Sequence, residues 1–144
     1  MMEHYLYVQS DESNVFFADN TTADFRVQLK FPLYLEGVWK VALVEFHATE
    51  KSKSTIKADE GLYIYTNLCT ESIVHGEERP LLRRLEKSSK DRWDYVFDTP
   101  FYLGVTKKEI RDFEINIRRE KDGDTPHLMK PVHLTLHFKR YPFW

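Results

Sequence analysis

The chain has 144 residues, 42% apolar and 31% charged, with a formal net charge of −2 and one cysteine, Cys69. That balance excludes a disordered chain and suits one domain with its own core. It also excludes a protein built to coat phosphates, an internal disulfide and, since no apolar run approaches ~20 residues, a membrane-spanning helix.

The opening "MMEHYLYVQSDES" has no basic n-region and no long apolar stretch, so no signal peptide is expected. Within it, 4–10 alternates like a strand. The sequon Asn20-Thr21-Thr22 reads as an unglycosylated turn. In "ADFRVQLKF" (23–31), Phe25, Val27, Leu29 and Phe31 alternate with Asp24, Arg26, Gln28 and Lys30; Pro32 and Glu36-Gly37 close the unit. "VWKVALVEFHA" (38–48) is apolar on both faces, with Trp39, Val41 and Leu43 on one and Val38, Ala42, Val44 and Phe46 on the other. A strand covered on both sides reads this way.

The polar run 49–60 reads as a loop, and "GLYIYTN" (61–67) as a strand. Residues 75–91 are polar around Leu81, Leu82 and Leu85, a spacing that suits one helical turn or a short strand. "RWDYVFD" (92–98) is strand-like. "TKKEIRDF" (106–113) suits a helical turn capped by Thr106, with Glu109 completing a capping box. "DFEINIRRE" (112–120) and "PVHLTLHFKR" (131–140) alternate, and Asp122-Gly123 between them signals the turn of a hairpin. Many short strands and no long amphipathic helix predict an all-β, antiparallel β-sandwich or barrel. Its expected core is Phe25, Val27, Leu29, Trp39, Val41, Leu43, Ile64, Ile115, Ile117, Leu134, Leu136 and Phe138.

No constellation of catalytic side chains emerges. His133 and His137 share a strand face but lie about 13 Å apart at strand rise, too far to share one ion. Cys69 and His75 lack an orienting third group. Asp122-Gly123-Asp124 lacks the later ligands of a calcium loop. Catalytic, cofactor-binding and metal sites are therefore all expected to be absent. A basic segment, Arg79, Arg83, Arg84, Lys87, Lys90 and Arg92, is diluted by Glu77, Glu78, Glu86 and Asp91. It reads as a solvated charged loop or, alternatively, as a contact loop for an acidic partner or nucleic acid. The chain closes on three large aromatics, Tyr141, Phe143 and Trp144. That tail, 141–144, either reaches a neighbouring subunit or folds back over its own sandwich.

Three stretches within 4–140 stand in a distinctive colinear order. The first runs from Asn20 and Thr21 through Phe25, Leu29, Leu33, Leu35, Gly37, Trp39, Val41, Leu43 and Glu45. The second is Ile73, Val74, Pro80, Leu81, Leu82 and Arg83. The third is Ile115, Ile117, Arg118, Gly123, Leu134, Leu136, His137 and Phe138. Together they resemble the penton proteins of Polinton/Maverick-type, adintovirus-like elements, the third being similar to the family's closing hairpin. The sequence departs from the family at His75-Gly76 and at Phe46-His47-Ala48.

The resemblance implies a single jelly-roll domain over 1–144, with about eight strands and at most short helical turns. It implies a non-enzymatic minor capsid protein that forms homopentamers at the vertices of an icosahedral virion, beside a double jelly-roll major capsid protein. Before assembly such a protein stays inside the host cell. No cofactor, small-molecule substrate, membrane or nucleic-acid partner is expected. The alternative is a host-domesticated β-sandwich that serves as a protein–protein interaction module.

Overall fold

The structure is a computed structural model that describes residues 3–51, 60–87, 91–120 and 123–141. Its strands are β1 (Glu3–Gln9), β2 (Asp24–Tyr34), β3 (Trp39–Thr49), β4 (Gly61–Thr66), β5 (Ser72–Val74), β6 (Glu77–Arg79), β7 (Leu81–Glu86), β8 (Arg92–Val96), β9 (Leu103–Gly104), β10 (Glu109–Arg119) and β11 (His133–Arg140). Eight of them form two antiparallel sheets, ordered β1-β11-β3-β8 (sheet A) and β2-β10-β4-β7 (sheet B). Short β9 pairs with β3, and β5 with β6 makes a separate hairpin.

Among the eight, the first strand pairs with the last, the second with the next to last, and so inward: β1 with β11, β2 with β10, β3 with β8 and β4 with β7. A long hairpin rolled into two sheets gives this order, which is the jelly roll. Every strand in one sheet is joined through the chain to a strand of the other, so β1 and β2 share one edge of the sandwich.

The expected core residues are buried between the sheets, except that Leu29 is only partly so. Trp93, Phe46, Phe113 and Leu62 complete the interior. Period-2 alternation positions them, because one face of each strand meets the opposite sheet.

The alternation misleads in β3. Its pairing with β11 slips between Thr135 and Leu136, which face Glu45 and Leu43, so Val44 is the extra residue of a bulge. A bulge reverses the phase of all that follows. Phe46 and Ala48 therefore join Trp39, Val41 and Leu43 in the core, and the other face carries Lys40, Glu45 and His47. The strand is not covered by apolar packing on both faces. In β2, pairing continues past Pro32 to Tyr34, and a shift opposite Ile110 and Asp112 leaves Phe31 exposed. Pro32 is tolerated because β2 is an edge strand, where one set of N–H groups needs no ladder partner.

Of the two forms expected around Leu81, Leu82 and Leu85, residues 81–86 take the strand, with Leu82 and Leu85 in the core. Two further expectations are corrected. The capped turn at 106–113 does not form: β10 starts at Glu109 and buries Ile110 and Phe113. The segment is drawn into sheet B, and tertiary packing overrides the local capping pattern. Finally, β10 and β11 are not a hairpin. Each pairs within its own sheet, so the connection crosses the sandwich. Gly123 still turns the chain, with φ 73° and its N–H donating to the Arg119 carbonyl at 2.9 Å. Asp122 and residues 52–59 of the expected loop lie outside the described residues.

Candidate functional site

Once the core side chains are assigned inward, the outer face of sheet A is set. It carries Tyr5 and Tyr7 from β1, His133, Thr135, His137 and Lys139 from β11, Lys40, Glu45 and His47 from β3, and Arg92, Asp94 and Val96 from β8. Two histidine clusters organise it.

His137 is directly opposite Tyr5, and their rings stack at 4.3 Å. Its Nδ1 lies 2.8 Å from the Tyr102 hydroxyl, and its Nε2 is 3.3 Å from the Glu3 carboxylate. The Lys139 ammonium sits 4.0 Å from the Tyr102 ring centroid. His47 stands between carboxylates, with Nδ1 2.9 Å from Asp94 and Nε2 2.8 Å from Glu45. Partial burial pulls the His47 pKa down, but hydrogen bonds to Asp94 and Glu45 and their charges outweigh it, so the net shift is upward. The Arg92 guanidinium, 2.6 Å from Asp94, holds that carboxyl at about 2.

The tail begins on this face. The Tyr141 N–H donates to the Val38 carbonyl at 2.9 Å, and Lys40 and Lys139 approach the Tyr141 ring at 4.7 and 5.7 Å. Tyr141 thus continues the β11 ladder past the start of β3, against Val38 of its own chain. Phe143 and Trp144 lie outside the described residues.

The basic segment is not a loop. Arg79 is on β6, Arg83 and Arg84 are on β7, and Arg92 starts β8; Lys90 lies outside the described residues. Arg79 pairs with Glu77 at 3.1 Å. Arg84 makes a two-pronged contact with Glu120 at 2.7 and 3.0 Å and reaches Glu86 at 3.0 Å, which raises its pKa. The Arg83 guanidinium is held between Phe97 and Phe101, 3.7 and 3.9 Å from their centroids, and donates to the Thr99 carbonyl at 3.0 Å. Burial lowers its pKa. These arginines brace the fold; the structure does not gather Arg79, Arg83 and Arg84 into one cationic patch.

Cys69 is buried and donates weakly to the Thr66 carbonyl, and burial pushes its thiol up to about 11. The His75 ring engages the Tyr63 hydroxyl at 3.0 Å instead. A shallow groove of about 360 Å³ on sheet B is lined by Tyr63, Tyr65, His75, Arg79, Arg118 and Glu120. Its cations are matched: Arg118 to Asp24 at 2.7 Å, Arg79 to Glu77. Among the described residues, no three His, Cys, Asp or Glu side chains group to hold a metal ion.

Several large apolar side chains remain exposed. At the β1/β2 edge, Tyr5 and Tyr7 on β1, Val15 and Phe16 in the connecting loop, and Phe31 and Tyr34 on β2 are all exposed; Tyr7 is 75% exposed and Val15 92%. Sequence reasoning placed Phe31 on the apolar face of its strand and assigned no role to the others, because each belongs to an alternating or turn-like segment. The polar face of β11 was legible from sequence; its partners Tyr102 and Glu3 were not, being distant in the chain. No protein-family model matches the chain, and no curated protein matches it.

Proposed function

We propose that the chain is a structural minor capsid protein of the penton type, whose work is assembly rather than catalysis. The observation that carries this reading is the strand order β1-β11-β3-β8 over β2-β10-β4-β7, the architecture of many capsid building blocks. It joins the three colinear stretches that resemble Polinton/Maverick-type pentons. The exposed Tyr5 and Tyr7 on the outer face of sheet A add support, since aromatic side chains are enriched where a protein meets another chain.

In this reading, copies close head to tail into a fivefold ring, and the ring docks to a double jelly-roll major capsid protein. Sedimentation velocity with negative-stain imaging tests it, on the protein alone and co-expressed with such a major capsid protein. Fivefold rings, or incorporation at particle vertices, are expected. A monomer at high concentration that stays out of particles overturns the proposal and favours the host-domesticated module.

A further inference from the structure

The main-chain edge of β1 carries an inference independent of the capsid reading. The Ser10 N–H donates inward to the Val132 carbonyl, whereas the Gln9 N–H is met by the Glu12 carboxylate at 2.7 Å. The β1·β11 register is unbroken from Glu3 to Gln9. Alternation therefore aims the N–H and C=O groups of Glu3, Tyr5 and Tyr7 away from β11. The close Tyr5–His137 stack agrees, because side chains approach most closely at pairs that are not hydrogen-bonded to each other.

The neighbouring edge is guarded. Asn20 meets both the N–H and the C=O of Arg26 at 2.9 Å, Ser13 accepts from Gln28 at 2.9 Å, Thr21 accepts from Asp24 at 3.0 Å, and Pro32 has no N–H to offer. Capped and proline-blunted edges of this kind prevent strand addition. Glu12 protects only the last residue of β1. Glu3 to Tyr7 has no such cap among the described residues, and the exposed Tyr5 and Tyr7 rings flank it.

We propose that Glu3–Tyr7 receives an extended, cationic segment of another protein as an additional strand of sheet A. Main-chain bonding requires the extended conformation. Alternation dictates two side-chain rows. One row continues the inner face beside the partly buried rim residues Leu6, Leu29 and Leu33 and is apolar. The other lies beside Tyr5 and Tyr7, where a Lys or Arg meets aromatic faces and the half-exposed Glu3 carboxylate. Asp11 and Glu12 extend the acidic character past the strand's end. A second copy of β1 is the competing occupant: antiparallel pairing centred on Tyr5 sets Tyr5 against Tyr5 and Glu3 against Tyr7, and brings no new cation to the Glu3 carboxylate. Protection of the Tyr5 and Tyr7 amides that rises with protein concentration in the absence of peptide overturns the proposal.

The test uses a peptide of about nine residues that alternates Val with Lys and Thr, and a control with Glu for Lys. Amide exchange is read residue by residue in the full chain. The cationic peptide is expected to slow exchange of the Tyr5 and Tyr7 amides at least tenfold, with the inward amides of Leu6 and Val8 already slow without it. The Glu peptide is expected to bind at least tenfold more weakly. Tyr7→Pro removes one outward N–H without touching the ladder to β11 and is expected to weaken binding at least tenfold. Should that variant fold poorly, N-methylation of alternate peptide amides gives the same test: one set abolishes binding and the other does not. No protection of Tyr5 and Tyr7 at millimolar peptide, or binding indifferent to charge and to N-methylation, overturns the proposal. Ring assembly plays no part in these readouts, so failure here leaves the capsid proposal standing.

Discussion

Tyr5 and His137 stack nearly parallel, 9° apart, across the junction of the first and last strands. The imidazole is mostly covered, and the tyrosine ring is half open to solvent. Tyr5 thereby shields the hydrogen bond between His137 and Tyr102 from water. Tyr5→Ala is expected to destabilise by about 1 kcal/mol, the lost ring contact plus its cross-strand neighbour. Chemical denaturation checks this, and the histidine Nδ1 and Nε2 resonances of His137 should shift in the variant and not in Tyr7→Ala.

His47 predicts a pH dependence. Its pKa is raised in the folded protein. A group with a raised folded pKa stabilises fully below its unfolded value, near 6.5, and loses that contribution as pH rises through the folded value. The wild type should therefore lose stability, relative to His47→Gln, as pH climbs from about 6.5 towards 8. Denaturant midpoints of both proteins across that range check the sign. Parallel curves mean that the Glu45–His47–Asp94 contacts do not persist in solution.

Leu136 lies fully buried in β11, the strand between β1 and β3. Leu136→Ala is expected to cost about 2–5 kcal/mol, the transfer term plus the cavity. A change below about 1 kcal/mol in a urea titration would show that the centre of sheet A collapses around the gap.

Arg83 and Arg84 should separate in their effects. Arg83 clamps the 97–101 segment through two rings and a carbonyl, so Arg83→Ala should cost about 1–2 kcal/mol and speed amide exchange around Thr99. Arg84 is a surface ion pair, and Arg84→Ala should cost no more than about 1 kcal/mol. Neither change should alter retention of nucleic acid on a salt gradient. A steep salt-dependent loss in the double variant would restore the contact-loop reading.

Deleting residues 142–144 tests the aromatic tail. Tyr141 is already anchored by Val38 and Lys40 of its own chain, so the melting temperature is expected to hold while, on the capsid proposal, self-association or docking to a major capsid protein weakens. A lower melting temperature with unchanged sedimentation would mark the tail as a lid on its own sandwich.

What the sequence made legible followed from local periodicity. Phe25 with Val27, Ile115 with Ile117, and Leu134 with Leu136 were assigned to the core because one strand suffices to read their alternation. What stayed hidden was non-local. The Val44 bulge is visible only against Thr135 and Leu136 in a strand some ninety residues away. Asp122-Gly123 looked like a hairpin turn because a tight turn is local, whereas the partners of β10 and β11 are not. The Thr106–Glu109 capping pattern lost to the burial of Ile110 and Phe113. Arg79, Arg83 and Arg84 read as one cluster because sequence proximity hides the alternation that points neighbouring strand residues in opposite directions. The β1 edge was equally illegible, since an edge is defined by which strands do not pair with it.

The nesting of first strand with last also governs how the chain is made. β11 is made after every other described strand, and it lies between β1 and β3, filling the centre of sheet A. Until it arrives, β1 has no partner, and the apolar sides of Val8, Val41 and Leu43 lack their neighbours. Sheet A thus cannot close before β11 has been made, and until then the growing chain carries open strand edges. Long-range pairing of this kind is slow, so chaperone demand should be greatest in that interval.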